Sequence, residues 1–135
     1  MADTATPTKA RVLVVDDSSL VRLYYRTALE TAGFEVKQAI NGIEAMEKVL
    51  SESFDLVIVD VNMPRMDGFT FLRSLRSLRS GAADVATLPA LMISTESGVQ
   101  DIAEARMLGA NFYLVKPVAE AELVRHVCVL TGATL

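Results

Sequence analysis

The chain has 135 residues, of which 51% are hydrophobic and 22% are charged, and its formal net charge is −4. This length and composition suit one globular domain with a full hydrophobic core. The acidic balance argues against nucleic acid as a partner, because nucleic-acid-binding domains usually carry a basic surface. The single cysteine excludes an internal disulfide, and no apolar run approaches the roughly 18 residues of a membrane span.

The first nine residues, MADTATPTK, are small and polar and lack the apolar centre of a signal peptide. We therefore expect a flexible tail over residues 1–9 and a single domain over residues 10–131. The protein is expected to be cytoplasmic, with no membrane partner.

Short aliphatic runs alternate along the chain with segments of helical periodicity. The run at 12–15 precedes a helical segment at 18–32, and a half-polar run at 34–40 precedes one at 41–52. Three further pairs follow: 56–59 with 67–80, 91–93 with 97–108, and 112–115 with 119–130. Gly33 and Gly109 stand where the first and fourth helices should end, as glycines that terminate helices do.

This alternation predicts an α/β fold: a five-stranded, doubly wound parallel sheet of order 2-1-3-4-5, with five helices on its two faces. The continuous apolar runs suit interior strands, and the half-polar second run suits an edge. In the third helix, LRSLRSLRSG (72–81) places Arg73, Arg76 and Arg79 opposite the leucines. We expect a solvated basic face there, and a docking patch for an acidic partner is the alternative.

Two adjacent acids, Asp16 and Asp17, close the first strand in LVVDDSS, and Asp60 closes the third in DLVIVDVNMP. In open α/β sheets ligands bind beyond the carboxyl ends of the strands, here between the first and third strands. A single aspartate in such a place is often a helix N-cap, but one helix needs only one cap. At an effective dielectric of 20, two carboxylates roughly 4 Å apart repel by about 4 kcal/mol. Three of them in one crevice predict a divalent cation, and Mg²⁺ is the ion that such oxygen ligands suit.

Two other strand ends supply different chemistry. The fourth strand delivers Ser94 and Thr95 in ALMIST, and the fifth delivers Lys116 in FYLVKP. A hydroxyl and an ammonium that face three carboxylates could hold a phosphoryl group, which requires positioning and charge neutralisation. An ordinary ion pair is the alternative for Lys116.

Four stretches resemble the receiver domain of two-component response regulators, especially the single-domain chemotaxis type: VLVVDDSSLVR, DLVIVDVNMPRMDG, LPALMIST and GANFYLVKP. The resemblance covers about residues 10 to 130 and implies a flavodoxin-like receiver fold. It also implies a phosphorylation-controlled switch, which takes a phosphoryl group from a sensor histidine kinase or phosphotransfer protein and then binds an output protein. Such a protein is not an enzyme beyond its self-catalysed phosphotransfer and autodephosphorylation, and we expect a monomer or weak dimer.

The resemblance also implies roles for the acids. Asp60 would be the phosphoacceptor that forms an aspartyl phosphate. Asp17, Asp60 and the backbone carbonyl of Asn62 would bind Mg²⁺ directly, and Asp16 would act through water. Asn62 and Glu96 flank the site at positions where the family varies.

The remaining roles concern the phosphoryl group and the signal. Lys116 and Ser94 would contact the phosphoryl oxygens, and Ser94 with Tyr113 would form the switch. Many family members have threonine in place of Ser94. In this chain the bulkier Thr95 follows Ser94 and could narrow the access of water or small phosphodonors to the site. The Lys116–Pro117 bond is expected to be cis.

A phosphatase and a module of a larger regulator are the two alternatives to the switch. A phosphatase resembling the haloacid dehalogenase superfamily would need a second acid two residues after the nucleophile, and this chain has Asn62 there. A detached receiver module of a larger regulator is the other alternative.

Overall fold

Five parallel strands form the centre of the protein in a computed structural model, which describes residues 10–78, 83–95 and 98–133. The predicted tail at 1–9, Arg79 and Glu96 lie outside the described residues. The spatial order of the strands is β2-β1-β3-β4-β5, so the predicted doubly wound sheet is confirmed. The strands are β1 (Arg11–Val15), β2 (Glu35–Ala39), β3 (Leu56–Asp60), β4 (Ala90–Ser94) and β5 (Phe112–Val115).

All five predicted helices are present: α1 (Ser19–Thr31), α2 (Gly42–Ser51), α3 (Gly68–Arg76), α4 (Val99–Met107) and α5 (Glu120–Thr131). A one-turn helix, Ala83–Ala86, precedes β4. α1 and α5 pack on one face of the sheet, and α2, α3 and α4 pack on the other. Within the described ranges, every helix is too short or too polar to cross a membrane.

The burial of each strand follows its position in the sheet. Every residue of β3 and β4 is buried, whereas β2 has two exposed residues, one half-buried residue and two buried ones. The half-polar second run therefore does lie at an edge, as predicted. Each fully buried Leu, Ile or Val stabilises the fold by about 1.5–3 kcal/mol relative to an exposed one. The interior strands therefore give firm support to the strand ends that carry the acids.

In the described part of the chain three helices have side-chain N-caps, and none of these caps is an acid of the predicted crevice. The Ser18 hydroxyl accepts from the Val21 N–H in α1, Asn41 caps α2, and Asp67 caps α3. The capping interpretation of the strand-end aspartates is therefore wrong. The two predicted helix-ending glycines are confirmed, since Gly33 and Gly109 follow the C-caps with φ of 101° and 96°.

The predicted end of α3 and the predicted environment of Arg76 are wrong. α3 ends at Arg76 rather than near residue 80. Arg73 is exposed, as expected, but the Arg76 guanidinium donates to the backbone carbonyls of Ala86, Leu88 and Gly109 at 2.7–2.9 Å. The Arg76 side chain therefore lies against the segments that lead into β4 and β5. The three carbonyls belong to residues outside the strand pairings. Arg76 is thus a structural residue and not part of a solvated face.

Candidate functional site

Four strands deliver polar side chains to one edge of the sheet. Asp16 directly follows β1, Asp60 and Ser94 end β3 and β4, and Lys116 directly follows β5. The register pairs Val15 with Val59, Asp60 with Ile93, and Ser94 with Val115. The parallel strands therefore end level with one another, and these side chains share one crevice.

The three predicted acids converge. Asp16, Asp17 and Asp60 each offer a carboxylate oxygen, and these oxygens lie within 4.8 Å of one another. Asp16 is 2% exposed and Asp60 8%, whereas Asp17 faces solvent. Carboxylate oxygens are hard ligands, and three of them leave an excess of negative charge over the nearby Lys116. The donor set and the charge both fit a bound metal cation.

Lys116 is held by two of these carboxylates. Its Nζ donates to Asp16 Oδ2 at 3.0 Å and lies 3.4 Å from Asp60 Oδ2. Burial lowers the pKa of Lys116, but the hydrogen bond to Asp16 and the charges of Asp60 and Asp16 outweigh it and raise the pKa overall. Lys116 is therefore a charged member of the cluster.

The buried Asp60 has a perturbed acidity. Burial raises its pKa and the Asp16 charge adds to this rise, while the Lys116 charge and a hydrogen bond from the Asn62 N–H oppose it. The net pKa lies above the ordinary value because desolvation is the largest effect. A cation that binds here would relieve this penalty.

The loop after β3 and the start of α3 pack against the backbone of Asp60. Gly68 begins α3, its N–H donates to the Val61 carbonyl at 2.9 Å, and a Cβ at Gly68 would overlap the carbonyl oxygen of Asp60. Asp67 caps the same helix, and Arg65 in this loop has a φ of 72°. The sequence motif contains Gly68, but only the folded chain reveals that this glycine packs on the Asp60 backbone.

Every polar group of Asp16 takes part in a hydrogen bond. Its N–H donates to the Ala39 carbonyl at 3.2 Å, and its Oδ1 accepts from the Ser18 N–H at 2.9 Å. Its Oδ2 accepts from Lys116, and its carbonyl accepts from the Arg22 guanidinium at 2.7 Å. Sequence reasoning missed Arg22, although an arginine on the first helix just after two acids was a signal that could have been considered.

Lys116 and Thr95 border a cleft, and the buried Ser94 directly precedes Thr95 in the chain. Ser94 is fully buried at the end of β4, while Thr95 is exposed. Thr95, Lys116 and Pro117 line a cleft of about 500 Å³ together with residues of α1 that include the buried Tyr25. The Lys116–Pro117 bond is cis, as predicted.

Tyr113 lies on β5 opposite Met92, between the strand and α4. It is half-buried and borders a pocket of about 190 Å³ whose lining includes Ile102 and Arg106. Met107 at the end of α4 is 88% exposed. Tyr113 therefore lies between β5 and α4, near the exposed end of α4.

The fold and site together define a doubly wound α/β protein with a lysine and three acids, a group that could hold a metal ion, at the switch point of its sheet. A family model described as the response regulator receiver domain matches residues 12–128. The chain therefore belongs to the response regulator receiver family.

Similar proteins agree with this assignment. The chain is 38% identical over 120 residues to the transcriptional regulatory protein PrrA of Mycobacterium tuberculosis, covering 89% of this chain and 49% of PrrA. It is 33% identical over 114 residues to protein PilG of Pseudomonas aeruginosa, covering 84% of this chain and 82% of PilG. The structure of the chemotaxis response regulator CheY4 of Vibrio cholerae matches with a TM-score of 0.83 and 36% identity, over 91% of this chain and 99% of that one. The chain spans about half the length of the PrrA relatives.

Proposed function

We propose that this protein is a phosphorylation-controlled signalling switch in which Asp60 accepts a phosphoryl group from phosphohistidine, with Mg²⁺ bound beside it. The observation that supports this proposal is the convergence of three carboxylate oxygens within 4.8 Å of one another, next to Lys116. The proposed unit is residues 10–131, which contains all of these groups. The donor would be a sensor histidine kinase or a phosphotransfer protein.

The transfer itself requires only positioning and charge neutralisation. A carboxylate oxygen of Asp60 forms a bond to phosphorus as the bond between phosphorus and the imidazole nitrogen breaks, and the released histidine nitrogen takes a proton. Bound Mg²⁺ supplies positive charge that offsets the acids and the phosphoryl oxygens. Asp17, Asp60 and the Asn62 carbonyl would hold it. Asp16 would act through water, because both of its carboxylate oxygens already accept hydrogen bonds.

Lys116 and Ser94 would respond to the new phosphoryl group. The Lys116 ammonium already lies 3.4 Å from Asp60 Oδ2, so a phosphoryl group on Asp60 would be within its reach. Ser94 ends the neighbouring strand and would donate its hydroxyl to a phosphoryl oxygen. Its movement would leave room that Tyr113 could fill, and the face formed by α4, β5 and α5 would then bind an output partner.

The alternatives have less support. A phosphatase of the haloacid dehalogenase type needs a proton-transferring acid where this chain has Asn62. A receiver module of a larger regulator remains compatible with the half-length match to PrrA. The chemistry proposed for Asp60 is the same in both a single-domain protein and a module.

The experiment that tests this proposal is treatment with acetyl phosphate and Mg²⁺, followed by mass spectrometry of the intact protein and its peptides. One phosphoryl group should appear on Asp60 and should be stable in acid and labile in base. Asp60→Asn should eliminate it, and omission of Mg²⁺ should reduce it strongly. A label found mainly on Ser94 or His126 would overturn the assignment.

A further inference from the structure

We infer that Arg22 is a positioning residue for the cation site: it holds the peptide between Asp16 and Asp17 and so aims the Asp17 carboxylate at the cation. This inference rests on the proposed binding of Mg²⁺. Arg22 lies in α1 and is half-buried. Its Nη1 donates to the Asp16 carbonyl oxygen at 2.7 Å, and its Nε donates to Gln38 Oε1 at 3.0 Å.

The bonded carbonyl belongs to the peptide that joins the two acids. The Asp17 side chain is exposed and makes no hydrogen bond or ion pair with any residue that the structure describes. The backbone therefore sets the direction of the Asp17 Cα–Cβ bond and so the positions that its carboxylate can reach. Because Arg22 restrains that backbone, it can orient Asp17 without any contact with the cation.

Gln38 explains why the guanidinium stays in place. It lies on the edge strand β2 and accepts from Nε, while Nη1 is directed to Asp16. Guanidinium donors have a fixed, planar arrangement, so a bond at one nitrogen orients the other. A polar residue in this strand, which the sequence marked only as an edge feature, thus supports the acid site.

A positioning role and a simple charge effect predict opposite results. Arg22 is positively charged and close to the acids, so removing its charge alone should strengthen the binding of Mg²⁺ or leave it unchanged. If Arg22 positions Asp17, its removal should weaken the binding of Mg²⁺ although a repulsive charge has been lost. Partners that orient metal ligands typically change metal affinity by about 10–100-fold.

The experiment is a titration with Mg²⁺ alone, followed by amide NMR shifts, with thermal unfolding measured for each variant. Arg22→Met should weaken Mg²⁺ binding about tenfold, and Arg22→Lys should recover part of the loss. Gln38→Leu should give a smaller loss and provides a milder variant if Arg22→Met fails to fold. Arg26→Met is the matched control, because Arg26 is exposed on the same helix and, among the residues that the structure describes, pairs only with Glu30, at 3.2 Å. It should leave the affinity unchanged.

Unchanged or tighter binding in both Arg22→Met and Gln38→Leu would overturn the inference while leaving the proposed function intact. A loss of affinity that only accompanies a matching loss of thermal stability would also overturn it. Failure of the unsubstituted protein to bind Mg²⁺ would overturn both the inference and the cation part of the proposed function.

Discussion

At the scale of single residues, the buried Asp60 carboxylate destabilises the folded protein when it is charged and no cation is bound. Burial and the Asp16 charge raise its pKa, and Lys116 and the Asn62 N–H offset this rise only in part. The folded-state pKa thus lies above the ordinary value of 3.8. Between these two values the folded protein binds more protons than the unfolded protein, so stability falls as pH rises through this window.

We therefore predict that Asp60→Asn raises the melting temperature of the Mg²⁺-free protein by a few degrees at pH 7. The gain should become small at pH 3.5, below the ordinary pKa of 3.8, where the wild-type carboxyl is mostly protonated in both states. Thermal unfolding at pH 3.5 and pH 7 would measure the difference. Glu47→Gln, which removes an exposed acid in α2, is the control and should change little. A lower melting temperature for Asp60→Asn at pH 7 would contradict the prediction.

At the scale of elements, the Arg76 guanidinium joins α3 to the two segments that enter β4 and β5. It donates to the carbonyls of Ala86 and Leu88 on one side and to that of Gly109 on the other. Partial burial lowers the pKa of its guanidinium, because desolvation disfavours the charged form. Arg76 thus holds the segments that enter the two strands whose far ends lead to Ser94 and Lys116.

We predict that Arg76→Met lowers the free energy of unfolding by about 2–3 kcal/mol, because three backbone carbonyls lose charge-assisted hydrogen bonds. Arg76→Lys should recover only part of this loss, since one ammonium cannot reproduce the planar arrangement of donors. Arg73→Met, on the exposed side of the same helix, should stay within about 0.5 kcal/mol of the wild type. Urea unfolding would measure all three variants, and equal effects at both arginines would refute the structural role of Arg76.

At the scale of the whole molecule, few residues separate the proposed phosphorylation site at Asp60 from the exposed face beside α4. Ser94 and Tyr113 lie on adjacent strands, in register pairs two residues apart. Tyr113 in turn borders the pocket beneath α4. A differential stabilisation of about 1.4 kcal/mol would shift the ratio of two conformations tenfold, so small movements at the site suffice to change the exposed face.

We predict that beryllofluoride with Mg²⁺ shifts the amide NMR signals of α4, β5 and the start of α5, including those of Met107, Tyr113 and Glu122. The physical reason is that an acceptor on Asp60 draws Ser94 toward it and frees space for the Tyr113 ring. Asp60→Asn with the same reagents should show no such change. Shifts confined to the loops around Asp17, Asp60 and Lys116 would exclude this route.

The fold and the convergence of the acids follow from short-range patterns in the sequence. Apolar runs mark the strands, and parallel topology forces the residues that follow them to one edge, as it does for Asp16 and Asp60. The contacts of Arg22, Gln38 and Arg76 could not be predicted in this way. Arg76 even belongs to a regular Leu-Arg-Ser repeat that favoured a solvated face. Their roles depend on carbonyls and amides that only the folded chain brings within reach.

The exposure of Asp17, in contrast to the burial of Asp16 and Asp60, bears on how fast the proposed cation could exchange. The outermost ligand faces water, so an ion could enter and leave without any opening of the fold. If the proposed cation binds there, such a site would equilibrate with its surroundings instead of retaining a permanent metal. Under the proposed function, the readiness of Asp60 to react would therefore follow the free Mg²⁺ concentration of the solution from moment to moment.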